Sequence, residues 1–267
     1  MNTKEQIAQL LLVVKSKRPV VHHITNYVTV NDCANITLAL GASPIMADDI
    51  SEMKEIVAIS GALLLNIGTL NERTVKSMLL AGKEANSIGV PVILDPVGVG
   101  ASSLRREAVE QICKEIKLAV VRGNSSEILF MAGQDVACRG VDAAKGIANN
   151  QSAQFLAMKL DCIVAMTGDI DEITDGKQTI YINNGNALME SVTGTGCMCT
   201  SLVSSFCAVS KNYLLATAAG VLCMSLAGDL AYSVAAPAGT SSYREAIIDE
   251  ISNMNCEKIM QSLIEER

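Results

Sequence analysis

Short runs of uninterrupted apolar residues alternate along this chain with longer amphipathic stretches. Ile7, Leu10, Leu11 and Val14 recur at helical spacing and predict an opening helix. After Pro19 the pattern changes repeatedly. Leu63-Leu64-Leu65, Val92-Ile93-Leu94, Val120-Val121 and Ile163-Val164-Ala165-Met166 are apolar runs of strand length. Helix-length segments lie between them, such as Glu72 to Ile88 and Leu104 to Ile116. Strands without polar alternation, separated by helices, predict an α/β fold with a parallel sheet covered on both faces. Each run closes on a polar or glycine turn: Asn66-Ile67-Gly68, Asp95-Pro96, Arg122-Gly123-Asn124 and Thr167-Gly168. Ligands bind such sheets beyond the carboxyl ends of the strands, so the four turns predict one functional edge.

No linker, charge block or repeat interrupts the 267 residues, and 1–267 reads as a single domain. With 49% hydrophobic residues but three Phe, five Tyr and no Trp, the core must come from aliphatics, Ala and Met. Too few aromatics remain for stacking on single-stranded nucleic acid. The net charge of −7 further argues against nucleic acid and anionic membranes. The polar N-terminus lacks a signal-peptide pattern, and nine irregularly spaced cysteines suit the reduced thiols of a cytoplasmic protein. Ser191 to Gly228 carries one charge, Lys211, yet is rich in Gly, Ser and Thr. That composition predicts two helices buried in a soluble protein rather than a membrane span.

The strongest chemical signal is Ser191-Val192-Thr193-Gly194-Thr195-Gly196-Cys197-Met198-Cys199-Thr200. Glycines allow a tight turn and close approach to a ligand, and a helix starting there offers unpaired N–H groups. This predicts an anion hole with a side chain projecting into it, suited to phosphoryl or acyl transfer. Cys197-x-Cys199 is too close for the usual zinc loop, and with two His in all no zinc ligand set is evident. Asp95 is either a turn former or cap for a helix beginning near Ser102, or a carboxylate that holds Mg2+ directly or through water. In Arg122-Gly123-Asn124-Ser125-Ser126-Glu127, Asn124 or Ser125 can cap the helix containing Glu127, which leaves Arg122 free to grip phosphate with its forked N–H groups. Thr167-Gly168 is either a phosphate contact or an ordinary turn. His22-His23 is placed in a polar stretch after a strand, with structural or substrate-contacting roles favoured over metal binding.

These motifs share strand ends in the order Asp95, Arg122/Asn124/Glu127, Thr167 and the glycine loop. Together with His23-Ile24-Thr25-Asn26-Tyr27-Val28 and Gly41-Ala42-Ser43-Pro44-Ile45-Met46-Ala47, they make the chain resemble the hydroxyethylthiazole kinases of the ribokinase-like superfamily. Cys197 discriminates: most of the superfamily carries Asp after the last glycine of the loop, whereas thiazole kinases typically carry Cys. The resemblance implies a mostly parallel sheet flanked by helices, ATP as cosubstrate and Mg2+. The reaction implied is phosphorylation of the hydroxyl group of 4-methyl-5-(2-hydroxyethyl)thiazole for thiamine phosphate synthesis. It places Met46 and Gly194 on the thiazole, with Asn26 and Val28 in the same pocket. Arg122 and Thr167 fall on ATP phosphates with Asn124 beside them, and Asp95 and Glu127 on Mg2+. Gly194, Thr195, Gly196 and Cys197 form the anion hole. Cys197 is either a weak base or an orienting group, since a helix N-terminus lowers a thiol pKa and ATP phosphates raise it. A homotrimer with active sites between subunits is also implied.

Three other readings compete. A hydroxymethylpyrimidine or pyridoxal kinase would usually carry Asp where this chain has Cys197. A non-catalytic thiazole or nucleotide sensor has no need of Asp95 and Glu127. A dinucleotide oxidoreductase lacks its early Gly-x-Gly-x-x-Gly.

Overall fold

A computed structural model describes residues 1–133 and 150–266. The opening apolar stripe forms α1 (Thr3–Lys17), started by Asn2 and Glu5 in a reciprocal capping box. Then follow β1 (Val20–Ile24), α2 (Val30–Leu40), β2 (Ser43–Met46), α3 (Met53–Ala58) and β3 (Ala62–Asn66). Next come α4 (Glu72–Ile88), β4 (Val92–Asp95), α5 (Ser103–Glu115), β5 (Val120–Asn124) and α6 (Ser125–Met131). The second half contains α7 (Asn150–Leu160), β6 (Ile163–Thr167), β7 (Asp171–Thr174), β8 (Thr179–Ile182) and α8 (Thr195–Cys207). It closes with α9 (Tyr213–Ala235), α10 (Thr240–Ser252), α11 (Cys256–Met260) and β9 (Ile264–Glu266).

Among the described residues, nine strands form one sheet in the order β2-β1-β3-β4-β5-β6-β7-β8-β9. From β2 to β6 all neighbours run parallel; β7, β8 and β9 add antiparallel. The strands feed two separate cores. Val21, Ala62, Ile93, Val120 and Ala165 face a layer built on α1, α2, α8, α9 and α10. Leu63, Leu65, Val92, Leu94, Val121 and Val164 face the opposite layer, with α4, α5 and α7. Apolar residues at consecutive strand positions are therefore needed on both faces, which is why the runs show no alternation.

The paired helices expected after Ser191 are α8 and α9. Helix α9 is long and apolar enough to cross a membrane by length and composition, but 83% of its most apolar window is buried within the protein. Gly220 lets it press on α8, since an added Cβ would meet the Val203 backbone at 2.5 Å.

Candidate active site

The parallel strands end in a row. Asn66 closes β3, Asp95 closes β4, Asn124 closes β5 and Thr167 closes β6, while Asn26 lies just beyond β1. The N-terminus of α8 meets this edge. Gly194 precedes it with φ +92°, a left-handed conformation that glycine adopts readily, and an added Cβ would lie 2.7 Å from Thr29 Cγ2. No side chain caps α8 among the described residues, and its first backbone bond into the cap runs from the Met198 N–H to Gly194 O. The N–H groups of Thr195, Gly196 and Cys197 thus have no intrahelical partner.

Beside that helix end lies a buried polar network. Asn66 Nδ2 donates to Asp95 Oδ2 at 2.8 Å and to Cys197 Sγ at 3.2 Å. Asn26 Nδ2 donates to Asn66 Oδ1 at 3.0 Å and to Cys197 Sγ at 3.4 Å. Asn26 Oδ1 accepts from the Val28 and Thr29 N–H groups, both at 3.1 Å. Thr200 Oγ1, one turn into α8, donates to Asp95 Oδ2 at 2.9 Å. Asp95 Oδ1 is buried without a hydrogen-bond partner among the described residues.

The other half of the site is cationic. Arg122 donates through Nη2 to Thr167 Oγ1, and its Nε is buried without a partner among the described residues. Gly196 makes room for it, because an added Cβ would sit 2.5 Å from Arg122 Nη1. Glu127 accepts from the Gly98 N–H at 2.9 Å and the Asn124 N–H at 2.8 Å. Asn124 Oδ1 accepts in turn from the Glu127 N–H at 2.9 Å, a capping box for α6. The capping reading of Asn124 therefore holds, and the same box fixes Glu127 at the strand edge. Ser102 caps α5, so Asp95 is not that helix's cap.

Burial dominates the electrostatics. It pushes the Asp95 carboxyl up to about 6; Arg122 opposes the shift and Glu127 adds to it. Burial, followed by the Asp95 charge, raises the Cys197 thiol, while Thr29, Asn66 and Asn26 partly oppose them. The net shift is upward from the ordinary thiol value, so Cys197 is a neutral thiol at pH 7.

One expectation needs revision. His22 and His23 lie inside β1, both buried, rather than in a polar stretch after a strand. They do point apart: His22 Nε2 bonds Ala47 O at 2.9 Å, and His23 bonds Val21 O at 3.0 Å and Ser201 Oγ at 3.2 Å. Burial lowers the His23 pKa to about 4, so both pack as neutral rings. The Thr195 hydroxyl turns back to Met189 O and Val192 O, which leaves only its N–H to the anion hole. Met46 ends β2 beside His23, while Val28 joins the network through its backbone alone. Asn66 and Thr200 were not singled out as site residues. The Asn66 turn at the end of an apolar run was the available signal; Thr200 gives none beyond lying one turn after Cys197. A cleft of about 360 Å³ near Pro91, Leu118 and Ile163 lies at the opposite, amino edge of the sheet.

A glycine turn, a helix N-terminus with no side-chain cap among the described residues and buried carboxylates thus meet at the carboxyl edge of a mostly parallel sheet. An Enterococcus faecalis protein titled as ribokinase-like superfamily shares the fold at TM-score 0.65 and 15% identity, covering 90% of this chain and 88% of that one. The chain belongs to the hydroxyethylthiazole kinase family, whose model matches residues 11–257. It is 54% identical over 255 residues to a hydroxyethylthiazole kinase of Ruminiclostridium cellulolyticum, covering 94% of this chain and 93% of the relative. A Clostridium beijerinckii hydroxyethylthiazole kinase is 48% identical over 255 residues, covering 93% and 92%. The solved hydroxyethylthiazole kinase of Pyrococcus horikoshii superposes with TM-score 0.89 at 34% identity, covering 98% and 99%.

Proposed function

We propose that this chain transfers the terminal phosphoryl group of ATP to the primary alcohol of 4-methyl-5-(2-hydroxyethyl)thiazole, giving the phosphate used in thiamine phosphate synthesis. Family membership supports the reaction. The observation that carries the substrate choice is Cys197, at the start of α8 and held against Asn26 and Asn66, in the position where the resemblance implies Cys for thiazole kinases and Asp for most of the superfamily. A neutral thiol beside amides suits a small, nearly apolar alcohol.

The residues fit Mg2+. Asp95 Oδ1 is a hard oxygen with no protein partner among the described residues, and each Glu127 oxygen accepts one backbone N–H, leaving capacity for metal-bound water. Among the described residues no cluster of three or more His, Cys, Asp or Glu is placed to hold a metal. That suits an ion that keeps several waters and binds through one or two carboxylates plus phosphate. Bound there, Mg2+ supplies charge neutralisation on the phosphates.

The chain's own residues then divide the work of positioning and charge stabilisation. Arg122 and Thr167 hold ATP phosphate oxygens beside Asn124. The N–H groups of Thr195, Gly196 and Cys197 meet the charge that builds on the transferred group. Met46, Gly194, Asn26 and Val28 form the thiazole pocket, and Cys197 orients the acceptor hydroxyl.

The same reading makes residues 1–267 one cytoplasmic kinase domain and a homotrimer with sites between subunits. Tyr27 and Val28, 80% and 58% exposed beside the buried Asn26, support a shared pocket. Light scattering and activity on dilution test it; a monomer with concentration-independent specific activity refutes it. The function itself is tested by ADP release from Mg-ATP with hydroxyethylthiazole, hydroxymethylpyrimidine and pyridoxal. Turnover confined to the thiazole alcohol is expected. Turnover of another alcohol discards the substrate assignment, and thiazole binding without any turnover favours a sensor.

A further inference from the structure

Asn66 sits buried at the centre of the polar network, and its carboxamide is fully used. The two N–H donors go to Asp95 Oδ2 at 2.8 Å and Cys197 Sγ at 3.2 Å. Its oxygen accepts from the Gly68 N–H at 2.9 Å and from Asn26 Nδ2 at 3.0 Å. A backbone N–H can only donate, so Oδ1 must face Gly68 and the NH2 group must face the carboxylate. The neighbours therefore determine the orientation of the amide.

Asp95 is held asymmetrically as a result. Oδ2 receives Asn66 and Thr200, at 2.8 and 2.9 Å, while Oδ1 receives nothing from the described residues. The geometry points to Asn66 as a positioning residue for phosphoryl transfer: one carboxamide ties the Asp95 carboxylate to the Cys197 side chain and sets which Asp95 oxygen is turned to the ligand. This rests on the role proposed above for Asp95. Asn66 touches neither reacting group itself and acts through two side chains that do. Phosphoryl transfer depends on placement, and a displacement of about 1 Å can lower a rate by about a hundredfold. Asn66→Ala removes both bonds. Asn66→Asp keeps the shape but turns an acceptor toward the Asp95 carboxylate.

Steady-state kinetics with Mg-ATP and the thiazole alcohol, with calorimetric binding of each, test the inference. Asn66→Ala should lower kcat at least about tenfold, with both KM values and both dissociation constants within about threefold of the parent. In a Cys197→Ala background the same substitution should cost at least about threefold less, because one of its partners is already gone. Asn66→Asp should lower kcat at least as much as Asn66→Ala and serves if the alanine variant does not fold. Parental kcat in either folded variant, a change confined to KM, or equal losses in both backgrounds would overturn the inference. Asp95→Asn separates the two layers of the argument. Full turnover in Asp95→Asn removes the role of Asp95 and the inference with it, whereas full turnover in Asn66→Ala beside an inactive Asp95→Asn removes the positioning alone.

Discussion

Asp95 at the end of β4 and Asp171 at the start of β7 make an instructive pair. Both are buried, and burial pushes both carboxyls up to about 6. By perturbation alone they are equal candidates for function. Their oxygens differ. Asp171 Oδ1 accepts from the Gly168 N–H at 3.1 Å, and Oδ2 accepts from Ser225 Oγ at 2.7 Å. It stitches the β6–β7 turn to α9, and each of its oxygens has a protein partner. Asp95 has both its bonds on Oδ2 and leaves Oδ1 bare among the described residues. A shifted pKa reports burial in both; the uncommitted oxygen is what sets Asp95 apart from Asp171.

The comparison can be sharpened within the Asp95 region. Glu127→Ala removes the second carboxylate proposed to organise Mg2+ and the α6 capping box, and turnover should fall about a hundredfold. Cys197→Ala should cost less, about tenfold, because a neutral buried thiol is a poor base and the role proposed for it is only to orient the hydroxyl. A larger loss for Cys197→Ala than for Glu127→Ala in the same ADP-release assay would contradict the orienting role. Gly196→Ala pushes against the guanidinium end of Arg122 rather than against backbone, so it should raise the KM for ATP severalfold with a smaller change in kcat. An unchanged KM for ATP would remove Arg122 from the phosphate site.

The smallest effect concerns Asp171 and is read from thermal unfolding against pH. The folded protein holds its proton more tightly than the unfolded chain, since the carboxyl moves from an ordinary 3.8 to about 6. Ionising it therefore costs stability above that range, and the cost fades as pH falls toward 3.8. The stability of Asp171→Asn relative to the parent should rise from about pH 4 to about pH 7, by up to about 3 kcal/mol. A difference that stays flat with pH would mean that Asp171 titrates normally.

Much of the functional edge was legible because each strand is a continuous apolar run that stops at a polar residue. Asp95, Arg122, Asn124 and Thr167 are the first polar side chains at or near such ends, and α4 spans Glu72–Ile88 as the pattern predicts. The antiparallel β7, β8 and β9 were not read, since Asp171 and Glu172 put buried carboxylates into a short strand. The same physics cut β1 short, because two buried neutral histidines read as a polar stretch after the strand. Thr200 escaped because a hydroxyl inside a helix usually bonds its own backbone, and this one also bonds Gly196 O at 3.1 Å. Its second bond, to Asp95, spans 105 residues of sequence and exists only once the helix docks on the strand edge.

The most direct measurement is kcat for Asp95→Asn and Asp171→Asn side by side, with saturating Mg-ATP and hydroxyethylthiazole. Both substitutions remove one buried negative charge and preserve shape. Loss of the unpartnered oxygen should lower turnover by about a thousandfold in Asp95→Asn, while Asp171→Asn stays within about fivefold of the parent. Comparable losses in the two variants, or a greater loss in Asp171→Asn, would contradict the claim that the free oxygen of Asp95 marks the working end of this sheet.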